Sequence, residues 1–178
     1  MAVVVRKFEK TDDFSAFTCG NEALDLFIKQ FAKGNQHRFG VTYVAVDEDG
    51  TMLGYLTVVA SSVEREKVGG KGPSSWPVLL IARLAVRSNI QKGGIGTMLM
   101  QRAFELALEQ HLTIGCAAVI VDAKPGAIDY YRDKFMFVEM VDVERDPDKA
   151  LPMFLEIKTL VKAAEAAAKA ATETSRNT

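Results

Sequence analysis

Cysteine is scarce in this chain: Cys19 and Cys116 are the only two in 178 residues. That is too few for a disulfide framework or a thiolate metal cage, and each reads as a small buried hydrophobe. Histidine is equally scarce, with only His37 and His111, so imidazole chemistry has few places to reside. No excess of one charge exists either: 22 basic residues meet 23 acidic ones for a formal net charge of -1, which removes any global pull toward nucleic acid or an anionic membrane. No apolar run approaches the ~20 residues needed to span a bilayer. The start "MAVVVRKFEK" has its charges after a very short apolar stretch, unlike a secretory signal, so a cytoplasmic location and no membrane partner are expected. What is present is ordinary globular composition, 48% hydrophobic, in a chain whose length suits one domain that buries roughly 70% of its unfolded surface.

The elements alternate along the chain. "AVVVRKF" reads as a strand. "NEALDLFIKQFAK" begins at a plausible N-cap, Asn21, and sets Leu24, Phe27, Ile28 and Phe31 at helical spacing, the pattern of an amphipathic helix. Val41 to Val46 and Leu53 to Val59, separated by "DEDGTM", read as an antiparallel hairpin. "SSVEREKVGGKGPSSW" carries much Gly and Ser and reads as a mobile loop that orders over an acceptor or merely extends the hairpin. "PVLLIARLAV" is a strand, Thr97 to Glu109 a helix and "GCAAVIVDA" a doubly buried strand, which together make a βαβ unit with parallel neighbours. A short helix from Gly126 to about Lys134 and the strands "FMFVEMV" and "LPMFLEI" complete a mixed α/β sheet. The tail after residue 157 is Ala-rich and helix-prone, with little beyond Leu160 and Val161 to bury.

The turn between strand and helix, Gln91-Lys92-Gly93-Gly94-Ile95-Gly96-Thr97, carries the chemistry. Glycines let a backbone approach a ligand closely, and the first turn of a helix offers unpaired N–H groups at the positive end of its dipole. Such a turn suits a pyrophosphate. The pattern Q-x-x-G-x-G lacks the lysine and spacing of a Walker loop and the longer glycine fingerprint of a dinucleotide site. A ligand-free Gly-rich turn is the competing reading.

This pattern, with the preceding "ARLAV", the helix "TMLMQRAFELAL" and the later "AIDYY", resembles the GCN5-related N-acetyltransferase (GNAT) family, whose signature is [QR]-x-x-G-x-[GA]. The resemblance covers about residues 3 to 157 and leaves 158–178 as a tail. It implies a mostly antiparallel mixed sheet with splayed parallel central strands and helices on both faces, and acetyl-CoA as cosubstrate. It further implies that the backbone of Leu84, Ala85 and Val86 pairs with the pantetheine arm, that amides from Gln91 through Lys92, Gly93, Gly94, Ile95 and Gly96 to Thr97 hold the pyrophosphate, and that Tyr131 protonates the departing thiolate. The chemistry agrees, because an amine attacking a thioester must expel a thiolate of pKa about 8.5, and a neutral phenol of pKa about 10 can supply the proton. Tyr130 is the neighbour that packs instead. The glycine that the family places after this helix is absent from "RDKFMF", where Phe137 comes one residue late.

A second likeness concerns the acceptor. Phe17, Cys19, Gly20, Leu24 and Asp25, with Arg83, Leu84, Ala85 and Val86, are similar to the GNAT toxins of bacterial toxin-antitoxin pairs. These acetylate the α-amine of aminoacyl-tRNA, which implies charged tRNA as a partner, a ribbon-helix-helix antitoxin and a homodimer. Arg6, Lys7, Lys10, Lys29, Lys33, Arg38, Lys67, Lys71, Arg83, Arg87 and Lys92 crowd the first half, although such lysines also make ordinary solvated faces. An α-amine titrates near 8 and a lysine side chain near 10.4, so a chain with few bases fits the former better. A GNAT acting on a small amine or a protein N-terminus, and a non-catalytic CoA-binding or partner-docking module, are the alternatives.

Overall fold

β-Branched runs set the sheet. The computed structural model describes residues 2–176. Strand β1 (Val4–Lys7), β2 (Val41–Val46) and β3 (Met52–Glu64) form an antiparallel meander in which Val5 faces Ala45 and Tyr43 faces Leu56. The turn between β2 and β3 is closed by Asp47, whose carboxylate accepts from the amides of Asp49 and Thr51 at 3.1 and 2.8 Å, with Gly50 at φ +77°. Two threonines buried on facing strands, Thr42 and Thr57, hydrogen-bond each other at 2.9 Å, so neither hydroxyl is left unpaired.

The remaining elements are β4 (Ser75–Val86), β5 (Ala118–Ala123), β6 (Val138–Glu139) and β7 (Leu151–Glu156), with helices α1 (Glu22–Leu26), α2 (Ala32–Asn35), α3 (Arg65–Val68), α4 (Ile95–Thr113), α5 (Ile128–Phe135) and α6 (Ile157–Arg176). The sheet runs β1-β2-β3-β4-β5-β7-β6, mostly antiparallel with a parallel pair, as the sequence leads one to expect. Two compact units divide the chain. The first comprises residues up to Ala60 and Leu80–Glu105; the second comprises Ser61–Leu79 and everything from Leu106 on. Phe8, Phe17, Phe27, Ile28, Val44, Tyr55 and Ala85 centre the core of the first, and Val68, Trp76, Val78, Ala118 and Phe154 a core of the second. Both cysteines are free and buried, as expected.

Three elements differ from the sequence expectation. The helix capped by Asn21, whose side chain accepts from the Leu24 amide at 3.2 Å, turns π-helical over Phe27–Phe31. That wider turn adds a residue to the period and rotates everything after it. Phe27 and Ile28 stay buried as expected, but Phe31 is 50% exposed and Ala32, at 0%, takes the inward place. The stretch from Ser61 to Trp76 is the end of β3, the short helix α3, a loop over 69–74 and the start of β4, with Val68 and Trp76 buried, so the irregular part is shorter than the sequence leads one to expect. "FMFVEMV" yields only a two-residue strand, because Phe135 still belongs to α5.

Candidate active site

The Gly-rich turn lies in the first unit. At the end of β4 the amide of Arg87 bonds the Leu53 carbonyl at 2.9 Å and its Nε the Met52 carbonyl at 3.1 Å, which holds the strand's exit. A 3-10 turn over Ser88–Ile90 follows, with Ile90 N–H on the Arg87 carbonyl at 3.1 Å, and a further turn is closed by Gly93 N–H on the Ile90 carbonyl at 2.9 Å. Gly94 adopts φ +83°, a left-handed conformation that L side chains rarely take, and a Cβ there would meet nothing within 4 Å. Glycine is therefore required by the backbone, and the space outside it is open. Helix α4 starts immediately after, anchored by buried Ile95, with the Thr97 and Met98 amides already bonded to the Gly94 carbonyl at 3.0 and 3.1 Å. The amides of Ile95 and Gly96 precede the first bonds of the helix and so point donors, with the dipole's positive end, at that open space. This cradle fits a pyrophosphate. Lys92 beside it is exposed, Ala85 is buried in the core, and Leu84 and Val86 are half-buried. Gly54 permits the close approach behind β4, since a Cβ on it would lie 2.7 Å from the Ala85 carbonyl oxygen.

Gln91 uses its side chain differently from a ligand contact. Its Nε2 donates to the Cys19 carbonyl at 3.1 Å and to that of Val86 at 3.4 Å. The Ser88 amide adds a bond to the Thr18 carbonyl at 3.0 Å. The turn is thereby stapled to the segment Phe17-Thr18-Cys19-Gly20. That segment is itself closed by Asp25, which accepts from Thr18 Oγ1 and the Cys19 amide, both at 2.8 Å, while Gly20 sits at φ +82°. Partial burial opposes charge on Asp25, but these donors and the Lys29 charge outweigh it and hold the carboxyl below its ordinary range. Tyr55, fully buried, donates to the Leu24 carbonyl at 2.8 Å, and the Arg83 guanidinium stacks 3.7 Å from the Phe27 ring centroid. Sequence reasoning singled out Phe17, Cys19, Gly20, Leu24, Asp25 and Arg83 but not Thr18 or Tyr55. The Thr18 role has a local signal, a hydroxyl seven residues before an acid at a helix start; the Tyr55 role has none, because it comes from a strand 31 residues away.

Tyr131 lies in the second unit, on α5, and is 6% exposed. Its ring meets those of Tyr130 and Phe137 edge-on, with centroids 5.4 and 5.6 Å away. Burial, reinforced by neighbouring Tyr130, pushes its hydroxyl well above the usual phenol range and keeps it neutral. Tyr130 is half-buried and packs on Phe135 at 5.2 Å. The missing glycine is replaced by conformation: Met136 itself adopts φ 61°, its amide bonding the Arg132 carbonyl, and Phe137 N–H returns to that of Tyr131 at 3.2 Å. That turn absorbs the extra residue and seats Phe137 fully buried beside Tyr131. Neither histidine has the setting of a base. His111 Nδ1 lies 3.0 Å from the Cys116 carbonyl, just past the end of α4, and His37 sits in an exposed turn at φ 66°.

A family model described as the acetyltransferase (GNAT) family matches residues 7–136. The chain is 26% identical over 157 residues to a tRNA-acetylating toxin of Mycobacterium tuberculosis, with 86% of this chain and 91% of the relative covered. A solved bacterial toxin superposes with a TM-score of 0.83 at 27% identity, covering 92% of this chain and 96% of that one. AtaT in complex with acetyl-methionyl-tRNAfMet superposes at 0.79 with 21% identity, covering 91% and 99%, which shows a shared fold. AtaT is also solved with the C-terminus of the antitoxin AtaR, and with acetyl-CoA in addition.

Proposed function

We infer, from the premise that this chain belongs to the acetyltransferase (GNAT) family, that it transfers acetyl from acetyl-CoA to the α-amine of an aminoacyl-tRNA. Membership makes it an acyltransferase with acetyl-CoA as donor. When bound, acetyl-CoA supplies an activated acetyl thioester. The amides of Gly94, Ile95 and Gly96 would hold its pyrophosphate, Gln91, Lys92, Gly93 and Thr97 shape the turn around it, and the backbone of Leu84 to Val86 would receive the pantetheine arm. Tyr131 would give its hydroxyl proton to the leaving sulfur. The domain runs over residues 1–157, with 158–178 appended.

The observation that carries the acceptor is the hydrogen-bonded unit made by Gln91, Ser88, Thr18, Cys19 and Asp25. It joins the cofactor turn to the Cys-Gly segment on which the toxin likeness rests, in a chain 26% identical to a tRNA-acetylating toxin. An α-amine, near pKa 8, is partly neutral at pH 7.5 without help and so asks little of a chain whose histidines lie elsewhere. Such an enzyme works in the cytoplasm, where charged tRNA is; an antitoxin and a second copy of the chain are its partners under this reading.

The test is incubation of bulk aminoacyl-tRNA with labelled acetyl-CoA and mass spectrometry of the released amino acids. N-acetylated aminoacyl ends are expected, with Gly94→Glu, whose side chain would fill the cradle, losing most acetyl-CoA affinity. Acetylation of free amino acids or peptide N-termini at equal or higher rates would overturn the acceptor and leave the acyltransferase standing.

A further inference from the structure

The second unit carries an open cleft of about 400 Å³ that shares no residue with the Gly-rich turn or Tyr131. Its apolar lining includes Trp76 and Ile157, and Lys71, His111, Lys158 and Glu156 also line it. Three basic side chains against one acid around an apolar lining is the composition of a site for a molecule with a greasy body and a negative end. We propose that this cleft is a second ligand site, one that takes a small amphiphilic carboxylate, its body against Trp76 and Ile157 and its carboxylate among Lys71, His111 and Lys158.

The lining is built by tight backbone constraints. The amide of Ala117 bonds the Pro77 carbonyl at 2.8 Å, and Ile157 N–H bonds that of Ala117 at 2.9 Å, which ties three segments of the lining together. Gly70 lies against the Trp76 indole so closely that a Cβ would come within 2.2 Å of it. Arg65 holds the Gly72 carbonyl at 3.0 Å, so the loop that carries Lys71 is pinned on both sides of it. His111 is oriented as well: the Cys116 carbonyl 3.0 Å from Nδ1 can only accept, so Nδ1 carries a proton and Nε2 is the ring atom left for a ligand.

Trp76 is the only tryptophan of the chain, so the site carries its own reporter. The experiment excites Trp76 while 8-anilinonaphthalene-1-sulfonate is titrated in, and reads energy transfer to the probe. Decanoate, decanol and acetyl-CoA are then added as competitors. Saturable transfer is expected, displaced by decanoate at concentrations at least tenfold below those of decanol and not displaced by acetyl-CoA. Lys158→Glu, at an exposed position in the first turn of α6 where an acid is compatible with the helix, should weaken decanoate displacement by tenfold or more with an unchanged thermal midpoint. Absent energy transfer, equal displacement by decanol, displacement by acetyl-CoA, or an unaffected Lys158→Glu protein would each overturn the proposal.

Discussion

Tyr131 is packed among aromatic rings on the same short helix whose end Met136 closes. Replacing Tyr131 with Phe removes one oxygen and keeps the edge-on ring contacts with Tyr130 and Phe137. Turnover is expected to fall on the order of a hundredfold or more, with little change in acetyl-CoA affinity by calorimetry, because an acid acts only in the transition state. Tyr130→Phe is the comparison and should stay near wild type; if the two results are exchanged, the assignment is one residue off. Met136 holds φ 61° and is 62% exposed. A side chain in that conformation costs about 1 kcal/mol or more. Met136→Gly should therefore raise unfolding stability in urea by roughly 0.5–1 kcal/mol. A loss of stability would mean that the exposed methionine contributes packing that offsets its strain.

At the scale of elements, what the sequence shows depends on how local the cause is. Asn21 was legible as a cap, and the helix after the Gly-rich turn, expected from Thr97, starts two residues earlier at Ile95, because a cap and the helix it begins are adjacent in the chain. The Phe31 position was not, since the π turn over Phe27–Phe31 departs from the regular helical period on which the expectation rests. The Ser61 to Trp76 segment was legible in part: its glycines do lie in a loop, over 69–74, but β3 and α3 extend farther into the segment than they signal, and Gly70 also admits the Trp76 ring, since a Cβ on it would lie 2.2 Å away. Gly70→Ala is accordingly expected to destabilise by about 1–3 kcal/mol in chemical denaturation, the range for overpacking, with Trp76 fluorescence shifting in the native state. A neutral result would show that the ring has room to move. Of the candidate site, the glycines and Tyr131 were named from the family resemblance, whereas the bond from Gln91 to the Cys19 carbonyl requires knowing that Cys19, 72 residues earlier, lies within reach. Asp25 gives the Cys-Gly segment a pH response. Its folded pKa is depressed, so its contribution is full above the ordinary carboxylate value of about 3.9 and is lost as pH falls through the lower folded value. Asp25→Asn should flatten the acid limb of the stability curve there, and an unchanged acid limb would remove Asp25 from it.

For the whole molecule, the question is where the catalytic domain ends. Helix α6 begins inside the second unit, with Ile157 and Leu160 buried at 5% and 9%, but every residue from Lys162 to Glu173 is exposed. Stability comes from area removed from water, about 25 cal/mol for each Å² of apolar surface, and that exposed stretch removes almost none. A chain stopped after Val161 is therefore expected to unfold within a few degrees of the full chain and to keep kcat/KM for acetyl transfer within about threefold. Ligand linkage provides a readout independent of the acceptor. A donor bound only to the native state stabilises by about 2.7 kcal/mol at a hundred times its Kd, and the resulting rise in melting temperature should be the same with and without the tail. If truncation abolishes that rise, the tail belongs to the donor site and the domain extends past residue 157. If it spares the rise but lowers turnover on charged tRNA alone, the exposed helix serves the acceptor, and the boundary is one of fold and not of function.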